Sequence, residues 1–432
     1  MVIENITFLI FHLYMVRILK MISIITRGIN LDYVKGSPIF TKINKVPKQY
    51  PYLTEDIMTE VIIVGGGVTG AILGYYFTLN NIPAVILEKS RIAHTSTSIT
   101  TSLLQYELDR NAADLNTVQS QPNVIKAYRL GLSAIDNICS FIETYGNHCD
   151  FKRCDSLLFG SKKSDKSELY DEYTFRRDAG LDVEFIEDFN SPYNFPISCG
   201  VVAKNGGAVL DPYRFTHQLL ETSSQYGLSV YENSEVISIE HEENGVKVRT
   251  IYGHEVKGKI VICATGYNTS LFTKREFGTK STTFNIATKP IPELSNILQN
   301  TVFRDNELKY HYFRATPDNR LILGGEDVRF IPDIDNQEIR ARCYGLLEQR
   351  LKQLFPMYNI EVEYRYCGAF ESTIDDLGYI GKDKEKPNLW YCLGYGANGI
   401  LFAILGAQML VKLYNNQVDE NLYLFEVNRL QH

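Results

Sequence analysis

The chain has 432 residues, 44% of them hydrophobic, and a formal net charge of −7. That length and apolar content suffice for two domains with substantial cores, and the acidic balance argues against a general nucleic-acid-binding surface. Eight cysteines are scattered without a CxxC pair or zinc-like spacing, so reduced, mostly buried thiols and a cytoplasmic setting are expected and a metal site is not.

Residues 1–58 read as an amino-terminal extension and lead-in. Ile6 to Ile25 is apolar, but Arg17 and Lys20 interrupt it, Glu4 precedes it without a basic region, and no small-residue cleavage site follows. A spanning helix is not expected. The stretch reads either as an amphipathic helix on the body or a surface, or as the result of a start placed too early, with Met21 the alternative beginning. Lys35 to Asp56, with Pro38, Pro47 and Pro51, reads as an extended segment that wraps the domain behind it.

Glu60 to Glu88 spells one βαβ unit. Val61 to Val64 is an apolar run suited to a strand buried on both faces, and Gly65-Gly66-Gly67 ends it. A helix is predicted to follow, with Val68 and Thr69 in its first turn, Ala71 and Gly74 on the side that packs on the sheet, and Asn80-Asn81 at its close. Ala84 to Leu87 is the second strand, ending at Glu88. In that context Gly65-x-Gly67-x-x-Gly70 fits the dinucleotide fingerprint. Gly65 permits the tight turn, Gly67 lets the backbone approach a pyrophosphate, and Gly70 lets the helix lie against the strand. The helix N-terminus offers N–H groups and partial positive charge to the anion. Glu88, 18 positions after Gly70, stands where a carboxylate accepts hydrogen bonds from ribose hydroxyls. The glycine motif alone does not separate NAD from FAD.

After Glu88 and Lys89, hydroxyl residues crowd from Thr95 to Ser102, either as a polar loop with local bonds or as a segment whose N–H groups meet a cofactor. The combination of VGGGVTGA, the acid at Glu88 and this loop running into Leu-Leu-Gln-Tyr-Glu resembles the flavoprotein superfamily of D-amino-acid oxidase, glycine oxidase and sarcosine oxidase. Within it, the chain is most similar to γ-glutamylputrescine-oxidase-like amine oxidoreductases. The resemblance implies FAD, held non-covalently, with Lys89, Thr97 and Ser98 among its contacts. It implies an α/β fold in which a Rossmann-like FAD-binding domain is interleaved with an α+β substrate domain on a mixed or antiparallel sheet. The FAD-binding domain would comprise 59–107, 197–270 and 364–432, and the substrate domain 108–196 and 271–363.

Thr117 to Tyr145 reads as one or two helices with an apolar stripe at Ile125, Tyr128, Leu132, Ile135, Ile138 and Ile142. Ser156 to Phe159 and Val183 to Ile186 read as strands, and Asp165 to Ala179 as a charged surface helix. Gly206-Gly207 lead to a helix over Tyr213 to Gln225, with Asp211 as N-cap and Pro212 at its first position, which gives Asp211 a structural role. Leu228 to Tyr231 and Glu235 to Ile239 read as strands, the latter in a hairpin with Lys247 to Ile251, and Val261 begins a strand that ends in the Ala264-Thr265-Gly266 turn. The resemblance implies that Val236 offers its backbone to the adenine and that Ala264, Thr265 and Gly266 pass close beside the dinucleotide.

His311 to Arg314 and Leu321 to Gly325 are predicted strands joined by a turn at Pro317-Asp318-Asn319. Alternation places Tyr312 and Arg314 on one face, opposite His311 and Phe313. The resemblance makes Tyr312, ahead of a DGR-type turn, a candidate substrate contact, with half-buried packing as the alternative. Arg314 is the candidate for binding a carboxylate, with a surface salt bridge as the alternative. Tyr364 to Phe370 and Thr373 to Gly381 resemble the family's tryptophan-bearing strand and the turn after it, with departures: Tyr366 replaces a tryptophan, Asp376 a glycine and Gly378 a proline. Phe370 stands where amino-acid oxidases carry a carboxylate-binding arginine, and Arg365 would point to the opposite face, which favours an amine lacking an α-carboxylate. Cys367 falls one residue out of place for covalent flavin attachment, so a buried thiol is expected.

Leu393 to Ile400 holds a second G-x-G-x-x-G before an apolar helix. The resemblance assigns Gly368 to the cofactor site, and Gly394, Gly396, Asn398, Gly399 and Ile400 to a loop that faces the flavin's pyrimidine edge. The expected activity is oxidation of a C–N bond of a small amine or amino acid, by hydride transfer to flavin N5 and hydrolysis of the imine. Oxygen or another electron acceptor would complete the cycle, without a nucleic-acid partner or integral membrane association. The alternatives are a same-fold hydroxy-acid or polyol-phosphate dehydrogenase, and a catalytically idle FAD-binding interaction protein.

Overall fold

The computed structural model describes residues 33–330, 336–396 and 398–430, so Ile6 to Ile25 and Met21 lie outside the described residues. Among the described residues the strands form three sheets, of six, four and ten strands, and no helix is long and apolar enough to cross a membrane.

The six-stranded sheet runs in the order Tyr379–Lys382, Leu389–Leu393, Ile260–Cys263, Val61–Val64, Ala84–Leu87, Ser229–Tyr231. All pairings are parallel except that of Tyr379–Lys382 with Leu389–Leu393. Both faces are covered, which is why these strands are apolar runs instead of alternating ones. Val61 and Ile63 pack in the core formed with the helices Val68–Leu79, Pro212–Ser224 and Gly399–Tyr414. Ile62 and Val64 pack instead with Val246, Val248 and Val256 of the four-stranded sheet. Val64, Leu87 and Cys263 share one rung, so Gly65, Glu88 and Ala264 emerge side by side at the sheet's carboxyl edge. Leu389–Leu393 delivers Gly394 to the same edge.

The ten-stranded sheet is antiparallel apart from one pairing, Thr301–Asp305 with Lys152–Gly160. Phe284, Phe313, Leu321, Leu323 and Cys367 form a core with Cys343, Leu347 and Leu351 of the helix Gln337–Leu354. The opposite face carries Thr283, Asn285, Tyr312, Arg314 and Tyr366 and turns toward the hydroxyl-rich loop. There Asn285 Nδ2 donates to the Ile99 carbonyl at 3.3 Å and Arg314 Nε to that of Thr101 at 2.6 Å.

Several elements differ from the sequence expectation. Leu103–Gln105, Cys199–Val209 and Val362–Ser372 are strands of the ten-stranded sheet, not of the dinucleotide unit to which 59–107, 197–270 and 364–432 were assigned. Cys199–Val209 has no counterpart among the predicted strands, and Gly206-Gly207 lie inside it. A Cβ at Gly206 would press on Ala203 and Tyr106, and one at Gly207 on Val302, so the glycines serve close packing of the sheet. Gln121–Tyr145 is a single helix of 25 residues with Pro122 in its first turn. The helix Lys166–Asp178 is not wholly a surface element. Its Arg176 is fully buried and pairs with Glu172 at 2.6 Å and Glu107 at 3.2 Å. The lead-in has structure of its own: Val34–Gly36 pairs with Val362–Ser372, and the short helix Ile39–Ile43 buries Ile39 and Phe40.

Candidate active site

The first glycine turn is built as its spacing demands. Gly65 has φ +118°, and a Cβ there would strike the Ala264 carbonyl, while one at Gly70 would strike the carbonyl of Gly65. Gly67 differs: a Cβ would meet only the Thr97 hydroxyl at 3.0 Å, so its open side is a cradle that side chains of other types would fill. The same hydroxyl accepts the Val68 N–H at 2.9 Å, bringing Thr97 to the N-terminus of the helix Val68–Leu79. Ser98 is also buried, but its hydroxyl bonds locally to the Thr95 carbonyl at 2.7 Å.

Glu88 is buried at the end of its strand. Its Oε2 accepts the Gly66 N–H at 2.7 Å and its Oε1 that of Ser90 at 2.9 Å. Burial pushes its pKa up, and those two N–H groups pull it only part of the way back. A carboxylate has about four acceptor positions, so two backbone bonds leave it able to take hydroxyls as well. Lys89 beside it is exposed, and Val236 is buried opposite Thr250 in the four-stranded sheet.

The later turns converge on the same edge. Gly266 has φ +58°, and its carbonyl accepts the Tyr395 hydroxyl at 3.2 Å. Gly396 has φ +76° and donates its N–H to the Glu371 carbonyl at 3.0 Å. Asn398 Nδ2 donates to the Glu107 carbonyl at 2.9 Å, while its buried Oδ1 has no partner among the described residues. Ile400 is buried in the first turn of the helix Gly399–Tyr414. Gly65, Gly67, Thr69, Thr265, Gly266, Gly394 and Gly399 all keep accessible surface, although most of their neighbours are buried. An open glycine cradle, a run of accessible backbone along one sheet edge and an orphaned amide oxygen fit the FAD that the resemblance implies. Gly368 has a packing reason to be glycine, since a Cβ would collide with Ile99 and the Tyr33 carbonyl. Cys367 points into the core on the far face of its strand.

Arg314 needs correction as a carboxylate binder. It is buried, and Nε and Nη2 donate to the carbonyls of Thr101 and Leu210 at 2.6 and 2.9 Å, so it clamps the hydroxyl-rich loop to the sheet. Burial lowers its pKa to about 10, which still leaves it protonated. Tyr312, from the same face, is half-buried, and its hydroxyl lies 3.1 Å from Thr283 Oγ1.

Tyr312 belongs to a group of tyrosines whose depth and residual exposure together mark a hollow. Tyr267, Tyr310 and Tyr312 lie deep in the molecule yet keep accessible surface. The rings of Tyr310 and Tyr312 are 6.0 Å apart, and Tyr267 stacks on Tyr395 at 5.6 Å. Burial above all, and then the charges of Asp109 and Asp327, push all three phenols up, with Glu371 adding at Tyr267. Thr283, Tyr310, Asp109 and Asp327 escaped the sequence reading. Their signal is weak, since Glu326-Asp327 at the end of an apolar strand reads as a solvated pair.

The sequence matches a family model described as FAD dependent oxidoreductase over residues 60–413. A gamma-glutamylputrescine oxidoreductase of Escherichia coli (strain K12) is 25% identical over 382 residues, covering 85% of this chain and 86% of that protein. A glycine oxidase of Bacillus subtilis (strain 168) is 21% identical over 388 residues, covering 86% of this chain and 97% of that one. The crystal structure of glycine oxidase from Geobacillus kaustophilus matches with a TM-score of 0.73 at 20% identity, covering 87% of this chain and 99% of that one, a likeness of fold. Because the family match extends from the first strand of the βαβ unit to the helix after the second glycine loop, the chain belongs to the FAD-dependent oxidoreductase family.

Proposed function

We propose that this FAD-dependent oxidoreductase oxidises a C–N bond of a small amine that lacks an α-carboxylate. The lining of the hollow carries the reading: three tyrosines with Asp109 and Asp327 close by, so that two carboxylates rather than a free cation set its charge. Arg314 is spent on backbone carbonyls, and Arg365 pairs with Glu348 at 2.9 Å near the surface. Arg304, 6.0 Å from the Tyr310 ring, gives Nη1 to the carbonyls of Leu108 and Asp109 and Nη2 to Asn111 Oδ1, which leaves only its buried Nε without a partner among the described residues. An α-amino acid would bring a carboxylate toward Asp109 and Asp327, and like charges in a site of reduced polarity repel strongly. The relatives named for glycine and γ-glutamylputrescine support C–N chemistry as the class.

FAD, when bound, supplies the two-electron acceptor, and the imine left by the amine is hydrolysed in water. The chain's own groups position the amine and leave its reacting nitrogen neutral. Tyr312 serves in its protonated form, because burial holds its phenol far above neutral pH, and so offers a hydrogen bond without adding charge. The test is anaerobic mixing of the flavin-loaded protein with a panel of amines, α-amino acids, hydroxy acids and polyol phosphates. Amines should bleach the yellow absorbance and matched α-amino acids should do so more slowly. Bleaching by hydroxy acids or phosphates alone would place the chemistry at a C–O bond, and bleaching by nothing would mark an idle flavoprotein.

A further inference from the structure

Asp327 stands where a strand loses its regular pairing. In the ladder between Thr279–Thr288 and Leu321–Arg329, Phe284 pairs with Gly325 and Thr282 with Val328, so Thr283 alone faces Glu326 and Asp327. This is a β-bulge, a device that re-aims a side chain beside a site. Glu326 takes φ +55°, an unfavourable conformation for a non-glycine residue, and Gly325 before it takes φ +140°. His311 over-determines the arrangement: its Nε2 lies 3.1 Å from Glu326 Oε1 and its Nδ1 2.9 Å from Asp305 Oδ2. Glu326 is thereby held on the His311 side of the strand, and Asp327 falls on the side of Thr283 and Tyr312.

There one carboxylate oxygen, Oδ1, is buried without a hydrogen-bond partner among the described residues. Burial pushes the Asp327 pKa up, the Thr283 hydroxyl pulls it down, and the charge of Glu326 pushes it up against the weaker pull of His311 and Lys309. A buried oxygen with no donor is costly unless a ligand supplies one. The two tyrosines whose phenols feel Asp327 most directly, Tyr310 and Tyr312, line the hollow with it. Aromatic faces also accept cations, and a carboxylate beside them selects a protonated nitrogen.

We propose that Asp327 determines substrate choice by receiving a second, protonated nitrogen of the substrate, so that diamines or polyamines are preferred over monoamines. The inference rests on the amine reading above. The nitrogen at Asp327 is not the one oxidised: pairing with a carboxylate favours the ammonium form, whereas the nitrogen that loses hydride from its neighbouring carbon must be neutral.

The test compares two aliphatic amines of equal chain length, one ending in a second amine and one in a methyl group, in anaerobic reduction of flavin-loaded wild type, Asp327→Asn and Asp327→Glu. Wild type should favour the diamine in kcat/KM, and Asp327→Asn should cut that preference by about a hundred-fold, a typical loss when one partner of a buried charge pair is removed. Asp327→Glu should restore part of it. Tert-butylammonium, which offers N–H donors but has no hydrogen on the carbon next to nitrogen and so cannot be oxidised, should inhibit wild type competitively and Asp327→Asn much more weakly. If amines bleach the flavin but wild type shows no diamine preference, or Asp327→Asn keeps it, the role of Asp327 is overturned while the amine reading stands. If no amine bleaches the flavin, both fall together.

Discussion

At the scale of single residues, the glycines of the first turn separate folding from binding. Gly70 has backbone where a side chain would go, whereas Gly67 has only a hydroxyl at 3.0 Å. Gly70→Ala should force the helix Val68–Leu79 off its strand and destabilise the protein by about 1–3 kcal/mol, the usual cost of overpacking, and flavin should be lost on purification. Gly67→Ala should change unfolding free energy by less than about 1 kcal/mol yet lower FAD affinity, because the new methyl occupies the cradle. Urea unfolding of the apoproteins beside flavin titration measures both. These positions were readable because a glycine's role there is set by a few adjacent atoms. Arg314 was not, because the Thr101 and Leu210 carbonyls that hold it come from segments more than a hundred residues away.

At the scale of elements, His311 ties together Thr301–Asp305 and the bulged strand Leu321–Arg329, and Arg350 of the helix Gln337–Leu354 joins at 3.0 Å from Asp305. Burial alone would lower the His311 pKa, but the bond and charge of Asp305, with Glu326 behind it, outweigh burial and raise it. For Asp305, burial pushes upward, and His311 and then Arg350 pull it below the ordinary range. A raised histidine stabilises the fold fully below its unfolded value of about 6.5 and loses that contribution as pH climbs through the folded value. The aspartate contributes above its unfolded value of about 3.9 and loses it as pH falls through its depressed folded value. The unfolding free energy of wild type minus that of His311→Asn should therefore be larger at pH 6 than at pH 9 in urea titrations. A difference that grows with pH would show that His311 is not held charged.

Element type was legible wherever the period was clean, as in the helix Pro212–Ser224, whose Asp211 cap accepts the Tyr213 and Arg214 N–H groups at 3.0 Å. Cys199–Val209 was not legible as a strand, because burial on both faces leaves no alternation and two glycines interrupt the apolar run.

At the scale of the molecule, the site lies between the carboxyl edge of the parallel sheet and one face of the ten-stranded sheet. Asn285 and Arg314 fasten the two across the hydroxyl-rich loop. A ligand in that seam binds the folded state alone and should stabilise it by about 2.7 kcal/mol at a hundred times its dissociation constant. Adding FAD to the apoprotein should raise the unfolding midpoint progressively with concentration in thermal scans, and NAD at equal concentration should not.

The sequence by itself determined the βαβ unit, the glycine turns and the family to which the chain belongs, because these depend on residues within about 30 positions of one another and on backbone geometry that few residue types tolerate. Tertiary structure alone decided which side chains line the hollow. It withdrew Arg314 into a clamp, set Cys367 against the far core and, through one bulge, turned Asp327 into the hollow beside Tyr312. Those outcomes depend on register between strands distant in sequence, where a shift of one residue exchanges the two faces of a sheet.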